Sequence, residues 1–192
     1  MSTIYTLNGK VLKNAATDKW LIKAVPPPPL EEVTIGTQIW KTKNLAIDDG
    51  QGGIYTQTVN YGRGDVTEYY YTWDAAVRVA ATVEGWRLPT YSDFGVIYTA
   101  YGNTAGTKLK STYGWTSGNG TDELGFSAFP AGYRWGSGFL NTGTEFRMWT
   151  SDQYGAPSYE SAYYNLLNTG AYIDGSTDKK FKCLSVRLIK AT

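Results

Sequence analysis

Apolar and polar positions alternate with different periods in different parts of the chain, and each change of period marks an element. Near the start, Ile4-Tyr5-Thr6-Leu7 and Lys10-Val11-Leu12 flank Asn8-Gly9. Asn-Gly supplies the two positive-φ residues of a type I′ turn, so a β-hairpin is expected. Lys19-Trp20-Leu21-Ile22-Lys23 reads as a third strand, and Pro26 to Pro29 follow. Prolines cannot donate ladder hydrogen bonds and favour extended polyproline II, so this run is a semi-rigid spacer of about 3 Å per residue. The reading divides the chain into a hairpin unit at residues 1–25, a proline-rich linker at 26–30 and a main domain at 31–192.

In the main domain, Val33-Thr34-Ile35-Gly36-Thr37-Gln38-Ile39-Trp40 reads as two short strands around a glycine turn. From Trp73 to Val83, apolar residues recur at helical spacing, with Trp73, Ala76, Val77 and Ala80 on one face. Pro89-Thr90 precedes a second helix: Thr90 can cap it, Asp93 three residues on approximates a capping box, and Gly102 ends it. Its expected inward face is Phe94, Ile97 and Tyr98. Beyond Gly102 the helical period is lost. Strand-like pieces follow at Met148–Ser151, Ala162–Leu167, Ala171–Ile173 and Cys183–Ile189, and the last alternates as a half-buried strand should. Helices early and strands late predict an α+β fold.

Composition narrows the function classes. Charged residues make up 18% of the 192 positions, below the globular average of about 25%, while the chain holds 22 Gly, 16 Tyr and 7 Trp. That balance suits a compact, loop-rich β protein. Net charge is +1 and no Lys/Arg run exceeds two residues, so no nucleic-acid partner is expected, because such affinity rests on phosphate neutralisation. No apolar run approaches the ~18 residues of a membrane span. The N-terminus shows no basic region followed by an apolar one, so no signal peptide is visible. With Cys183 as the single cysteine there is no intrachain disulfide, and packing must hold the fold.

A series of motifs then sets the family. In order they are Ile35-Gly36-Thr37-Gln38-Ile39-Trp40 with Lys43-Asn44-Leu45; Tyr71-Thr72-Trp73-Asp74-Ala75-Ala76; and Gly85-Trp86-Arg87-Leu88-Pro89-Thr90. Next come Ala105-Gly106-Thr107-Lys108-Leu109-Lys110-Ser111; Gly125-Phe126-Ser127-Ala128-Phe129-Pro130-Ala131-Gly132-Tyr133-Arg134; Trp149-Thr150-Ser151; and Ser185-Val186-Arg187. From Val33 to Lys190 the chain resembles the Fibrobacter succinogenes major paralogous domain. The resemblance implies a C-type-lectin-like fold: two helices, small antiparallel sheets and long loops whose surface carries the ligand site. It also implies a binding module and not an enzyme. The hairpin unit and the proline run lie outside it, and would tether the domain to a larger assembly. Similar domains are the variable proteins of diversity-generating retroelements, in which adenine-templated mutagenesis varies the last strands and loops. A phage particle or a cell surface is the implied setting, and the compartment is otherwise open.

Asp152 to Lys182 fits such a variable window, bounded by the scaffold motifs Trp149-Thr150-Ser151 and Leu184-Ser185-Val186-Arg187. The expected contact residues are Asp152, Gln153, Tyr154, Ser158, Tyr159, Tyr163, Tyr164, Asn165, Asn168, Tyr172, Asp174 and Ser176. Tyrosine gives large amphipathic contact at low rotamer cost, and Ser, Gly and Asn give adaptable hydrogen bonds. The ligand would be a protein or a glycan. A fixed-ligand or surface-display domain without diversification is the alternative, and a plain solvent loop the blandest reading.

Chemistry is sparse elsewhere. With no histidine in the chain, the commonest general base, the His-dependent triads and the usual zinc sites are missing. Cys183 falls in an expected strand, where a lone cysteine behaves as a small hydrophobe. Formylglycine-generating enzymes share the general fold but work with a pair of cysteines. Gly118-Asn119-Gly120-Thr121-Asp122-Glu123 and Asp48-Asp49 bear oxygens of the kind that bind calcium, yet the Glu-Pro-Asn and Trp-Asn-Asp sugar-site signatures are missing. No cofactor is expected, and structural calcium is the only one weighed. Trp86, Trp115, Trp149 and Phe126 are expected in the core, Arg87 and Arg134 in loop-fixing pairs, and Trp135 on the core or the ligand-facing rim.

Overall fold

The computed structural model describes residues 6–7, 10–11, 31–154 and 159–191, and the chain separates into two units, Met1–Leu30 and Glu31–Thr192. In the first unit, β1 (Thr6–Leu7) pairs antiparallel with β2 (Lys10–Val11), Thr6 opposite Val11 and Leu7 opposite Lys10. That register leaves Asn8 and Gly9 as the two intervening residues, the length a hairpin loop of this kind needs. The expected strand at Lys19–Lys23 and the run Pro26–Pro29 lie outside the described residues, as does Ser158.

The second unit is α+β. Its strands are β3 (Glu32–Ile35), β4 (Gln38–Lys41), β5 (Ile54–Asn60), β6 (Asp65–Tyr71), β7 (Trp86–Arg87), β8 (Tyr133–Trp135), β9 (Gly138–Leu140), β10 (Glu145–Tyr154), β11 (Glu160–Leu167), β12 (Asp174–Lys179) and β13 (Ile189–Lys190). The helices are α1 (Trp73–Ala80), α2 (Tyr91–Tyr101) and the short α3 (Ala105–Leu109), reached through a 3-10 turn at Gly102–Thr104. The strands form several small antiparallel sheets: β3-β4-β13-β7, β10-β11-β12, and the hairpins β5-β6 and β8-β9.

Local chemistry explains both longer helices. Thr72 caps α1 by accepting from the Ala75 amide at 3.4 Å. The Thr90 hydroxyl accepts from the Asp93 amide while the Asp93 carboxylate accepts from the Thr90 amide at 2.6 Å, a reciprocal capping box. The inward faces differ in part from expectation. Trp73, Ala76 and Ala80 are buried with Ala75 and Val79, whereas Val77 is exposed. On α2, Phe94 and Ile97 are buried and Tyr98 is exposed. Eight- and eleven-residue helices lying on one sheet bury a stripe narrower than the apolar pattern suggests.

Three further expectations are corrected. A helical turn does persist past Gly102, as α3, because Gly106 lies against the backbone of Ala171 and Tyr172; an added Cβ there would meet the Tyr172 carbonyl oxygen at 2.3 Å. Ala171–Ile173 is a bend, with the strand starting at Asp174. Cys183–Ile189 is buried at every position instead of at alternate ones. This last segment threads the centre of the unit. Its backbone bonds in turn to Arg134 at Cys183, Tyr71 at Leu184, Trp149 and Arg147 at Ser185, Leu45 at Val186 and Lys41 at Leu188. Both of its sides are therefore covered, and alternation has nothing to report.

Sheet β10-β11-β12 separates two apolar clusters. Phe146, Met148, Tyr164 and Leu166 pack with Phe94 and Ile97 of α2. Trp149 and Tyr163 pack with Trp73, Ala76 and Val79 of α1 and with Leu184, Val186 and Leu188. Trp115, Trp149 and Phe126 lie in these clusters as expected, while Trp86 is half-buried with the Lys41 ammonium 4.2 Å from its ring.

Candidate functional site

The register of the three-stranded sheet places the expected contact residues that pair across its strands. Trp149 sits opposite Tyr163 and Tyr163 opposite Ser176; Met148 opposite Tyr164 and Tyr164 opposite Gly175; Arg147 opposite Asn165 and Asn165 opposite Asp174. With β10 on one side, β12 on the other and a cluster on each face, the middle of β11 has no route to solvent. Tyr163 and Tyr164 are only 7% and 8% exposed. Tyr164 stacks on Tyr91 at 4.8 Å, meets Phe94 at 4.1 Å and donates its hydroxyl to the Tyr91 carbonyl at 2.7 Å. Burial pushes its phenol well above the usual tyrosine range. Tyr163 is edge-on to Trp149 and lies 5.0 Å from the Arg147 guanidinium. Asn165 is buried too, its amide donating to Glu145 at 3.4 Å. These three side chains face the core, and the sheet's pairing is the reason.

The polar face of this sheet is locked as well. Arg147 donates to Glu145 at 2.6 Å and to Asp178 at 3.2 Å, and its guanidinium lies 4.1 Å from the Tyr133 ring. Lys182 pairs with Asp178 at 2.8 Å and lies 4.5 Å from the Trp135 ring. Rings and cations thus alternate from Trp135 through Lys182, Tyr133 and Arg147 to Tyr163.

The remaining residues divide between the two ends of β11, roughly 23 Å apart at the usual strand rise. At the first end, Asp152 accepts from the Tyr91 amide at 2.6 Å, adding an acidic group to the start of α2. Gln153 accepts from Lys180 at 2.7 Å, and the Lys180 amide donates to the Tyr159 carbonyl at 3.0 Å. The turn Lys180–Lys182 is held there, and around it stand Tyr159, Phe181 and Trp135, exposed by 71%, 64% and 53%; Tyr154, 51% exposed, pairs with Glu160 and so lies on the opposite face of the sheet from Gln153. Tyr55 continues the patch, with the Arg134 guanidinium 3.5 Å above its ring. Trp135 is therefore a surface ring and not a core one. Phe181 and Tyr55 were not among the expected contacts; a bulky apolar ring inside a Lys-rich turn was the only available signal for Phe181.

At the second end, Asn168 donates to Ser117 at 3.0 Å, and Tyr172 and Asp174 are exposed; Ser176, opposite Tyr163 on the outer strand, is exposed as well. Tyr172 and Asp174 flank Ile173, which closes a cleft of about 280 Å³ with Tyr91, Tyr98 and Tyr164.

Of the two arginines read from the motifs, only Arg87 makes a side-chain ion pair among the described residues; the Arg134 guanidinium lies over the Tyr55 ring. Arg87 grips Asp93 with both terminal nitrogens, at 2.7 and 3.1 Å, and so fixes β7 to the start of α2. Arg134 exchanges backbone hydrogen bonds with Cys183 at 2.8 and 2.9 Å. Cys183 is buried, and burial raises its thiol pKa, the opposite of what a nucleophile needs. Among the described residues no group of three or more His, Cys, Asp or Glu side chains converges on a point. The carboxylates weighed for calcium are engaged by protein groups: Asp49 with Arg78, whose hydrogen bonds lower it to about 2, Glu123 with Lys108, Asp122 with Ser127, and Asp48 with the Gly50 amide. No helix is long and apolar enough to cross a membrane among the described residues.

No curated protein and no solved structure matches the chain. The model of the Fibrobacter succinogenes major domain does, across residues 33–190. That span runs from β3 to β13, takes in both apolar clusters and leaves out the hairpin unit; the chain belongs to the Fibrobacter succinogenes major domain family.

Proposed function

We propose that this chain is a receptor-type binding protein, not an enzyme, which meets a protein partner through the aromatic rim at Tyr159, Phe181, Trp135 and Tyr55. The observation that carries this reading is the gathering of three strongly exposed rings, Tyr159, Phe181 and Trp135, around one pinned turn. Contiguous exposed aromatic surface marks interaction sites, and aromatic anchors supply most of the affinity at such interfaces. Lys179, Lys180 and Lys182 stand among the rings but are tied to Glu160, Gln153 and Asp178, so they fix the surface more than they charge it. The sheet beneath is packed on both faces, which keeps the ordering cost of binding small. A chain without histidine, with its one thiol buried, fits recognition better than catalysis.

The finer reading is a C-type-lectin-like scaffold whose rim is diversified by a retroelement. Its support is the two-helix α+β layout and the Tyr/Ser/Gly/Asn-rich stretch between two buried scaffold segments. The DNA flanking the gene tests it. A near-copy of codons 149–190 beside a reverse transcriptase, differing at adenines, is expected, with the differences at codons for exposed positions such as 154, 159, 172, 174 and 176. Differences spread evenly over codons 161–166 would break the link between variation and surface. With no near-copy at all, a fixed-ligand or surface-display domain becomes the better reading.

A further inference from the structure

Beneath the β5-β6 hairpin lies a cavity of about 270 Å³ that shares no residue with the aromatic rim. Three polar side chains from distant parts of the sequence build its inner wall. Arg187, fully buried, donates through Nε and Nη2 to the Asn44 Oδ1 at 3.2 and 2.9 Å, and through Nη1 to the carbonyls of Lys41 and Phe126 at 3.1 and 2.5 Å. Asn44 turns its amide to Glu68, 3.0 Å from Oε2, and Tyr61 donates to the other carboxylate oxygen at 3.1 Å. A buried cation and a buried carboxylate thus face one another across Asn44 without touching, and the inner wall is close to neutral. A carboxylate accepts at about four lone-pair sites, so those two donors leave Glu68 with acceptor capacity.

The side walls are aromatic. Tyr61 and Phe129 meet at 4.9 Å, and Tyr113 and Phe129 at 5.0 Å. The mouth is cationic: the Arg63 guanidinium lies 4.0 Å over the Tyr113 ring, and Lys43 lines the same opening. Among the described residues neither has a carboxylate partner. The volume, about 270 Å³, falls just below the roughly 300–1,000 Å³ of small-molecule sites, enough for a single ring. Each wall restricts the occupant. Aromatic faces take the C–H face of a ring; Glu68 takes donors, but Arg187 behind it disfavours an ammonium; Arg63 and Lys43 take an anion. A hydroxylated ring bearing one carboxylate meets all three conditions.

We propose that this cavity binds a uronic acid, its carboxylate on Arg63 and Lys43 and its hydroxyls donating to Glu68. Glucuronate and galacturonate, titrated separately into the full chain and followed by calorimetry and ligand-observed NMR, test it, with glucose and glucosamine as comparisons. At least one uronate should bind, more tightly than either comparison sugar. Arg63 is exposed, so Arg63→Glu should leave the melting temperature unchanged while weakening that uronate by roughly tenfold or more. Absence of uronate binding, equal binding of glucosamine, or a Kd unmoved by Arg63→Glu would each overturn the assignment. None of these outcomes touches the rim, whose own test is made on DNA.

Discussion

Tyr164, in the middle of β11, and Tyr159, just ahead of it, lie five residues apart in one short stretch and meet different surroundings. The first is walled in by Tyr91, Phe94 and the neighbouring strands; the second projects beyond the sheet beside a turn held by Gln153 and Lys180. One residue type therefore serves as core filler and as contact surface within a single supersecondary unit. What separates the two roles is pairing: a residue with a strand on both sides and a helix over its face is core, whatever its composition suggests. A Tyr-rich stretch read as one binding surface is a buried strand with a surface at each end.

The sharpest way to break this contrast is Tyr164→Ala. Removing a buried aromatic ring costs about 3–5 kcal/mol, and a domain of this size loses roughly 2–4 °C per kcal/mol, so the melting temperature should fall by about 10 °C or more. A fall of only a degree or two would place Tyr164 with the rim. Raising the pH should separate the classes less severely. Burial raises the phenols of Tyr70, Tyr71 and Tyr164, so above pH about 10 the folded chain holds more protons than the unfolded one. Stability supplied by these phenols is whole below that pH and declines as it rises further; thermal melts at a series of alkaline pH values, with tyrosinate absorbance, should show it. Melts that improve above pH 10 would contradict the burial. The smallest effect belongs to the rim: Tyr159→Ala and Phe181→Ala should each change stability by less than about 0.5 kcal/mol. A drop of several degrees would make these rings structural and remove the ground for the proposed interface.

How much of this was legible follows from how local each determinant is. The capping box of α2 lies within four residues, Thr90 to Asp93, and could be read directly. The first two strands of the domain and the pairing across Asn8-Gly9 were legible for the same reason. The outward turn of Val77 and Tyr98 was not, because it depends on where the sheet lies under each helix. The division of the Tyr-rich window was invisible because pairing with β10 and β12, not composition, decides it. The inner wall of the small cavity joins Asn44, Glu68 and Arg187, and no sequence spacing links a residue near the start of the domain to one near its end. Arg187 stood in a recognised motif, yet its neighbours could not be named.

The segment Cys183–Ile189 also bears on the order of events during synthesis. Each of its backbone partners, from Lys41 to Trp149, leaves the ribosome before it does, and each waits for it with an unsatisfied amide or carbonyl. The central hydrogen bonds cannot close until Cys183–Ile189 has emerged, so the domain closes late, through contacts of long sequence separation that form slowly. A substitution that keeps Cys183 from reaching Arg134 should leave both apolar clusters open and expose the product to proteolysis.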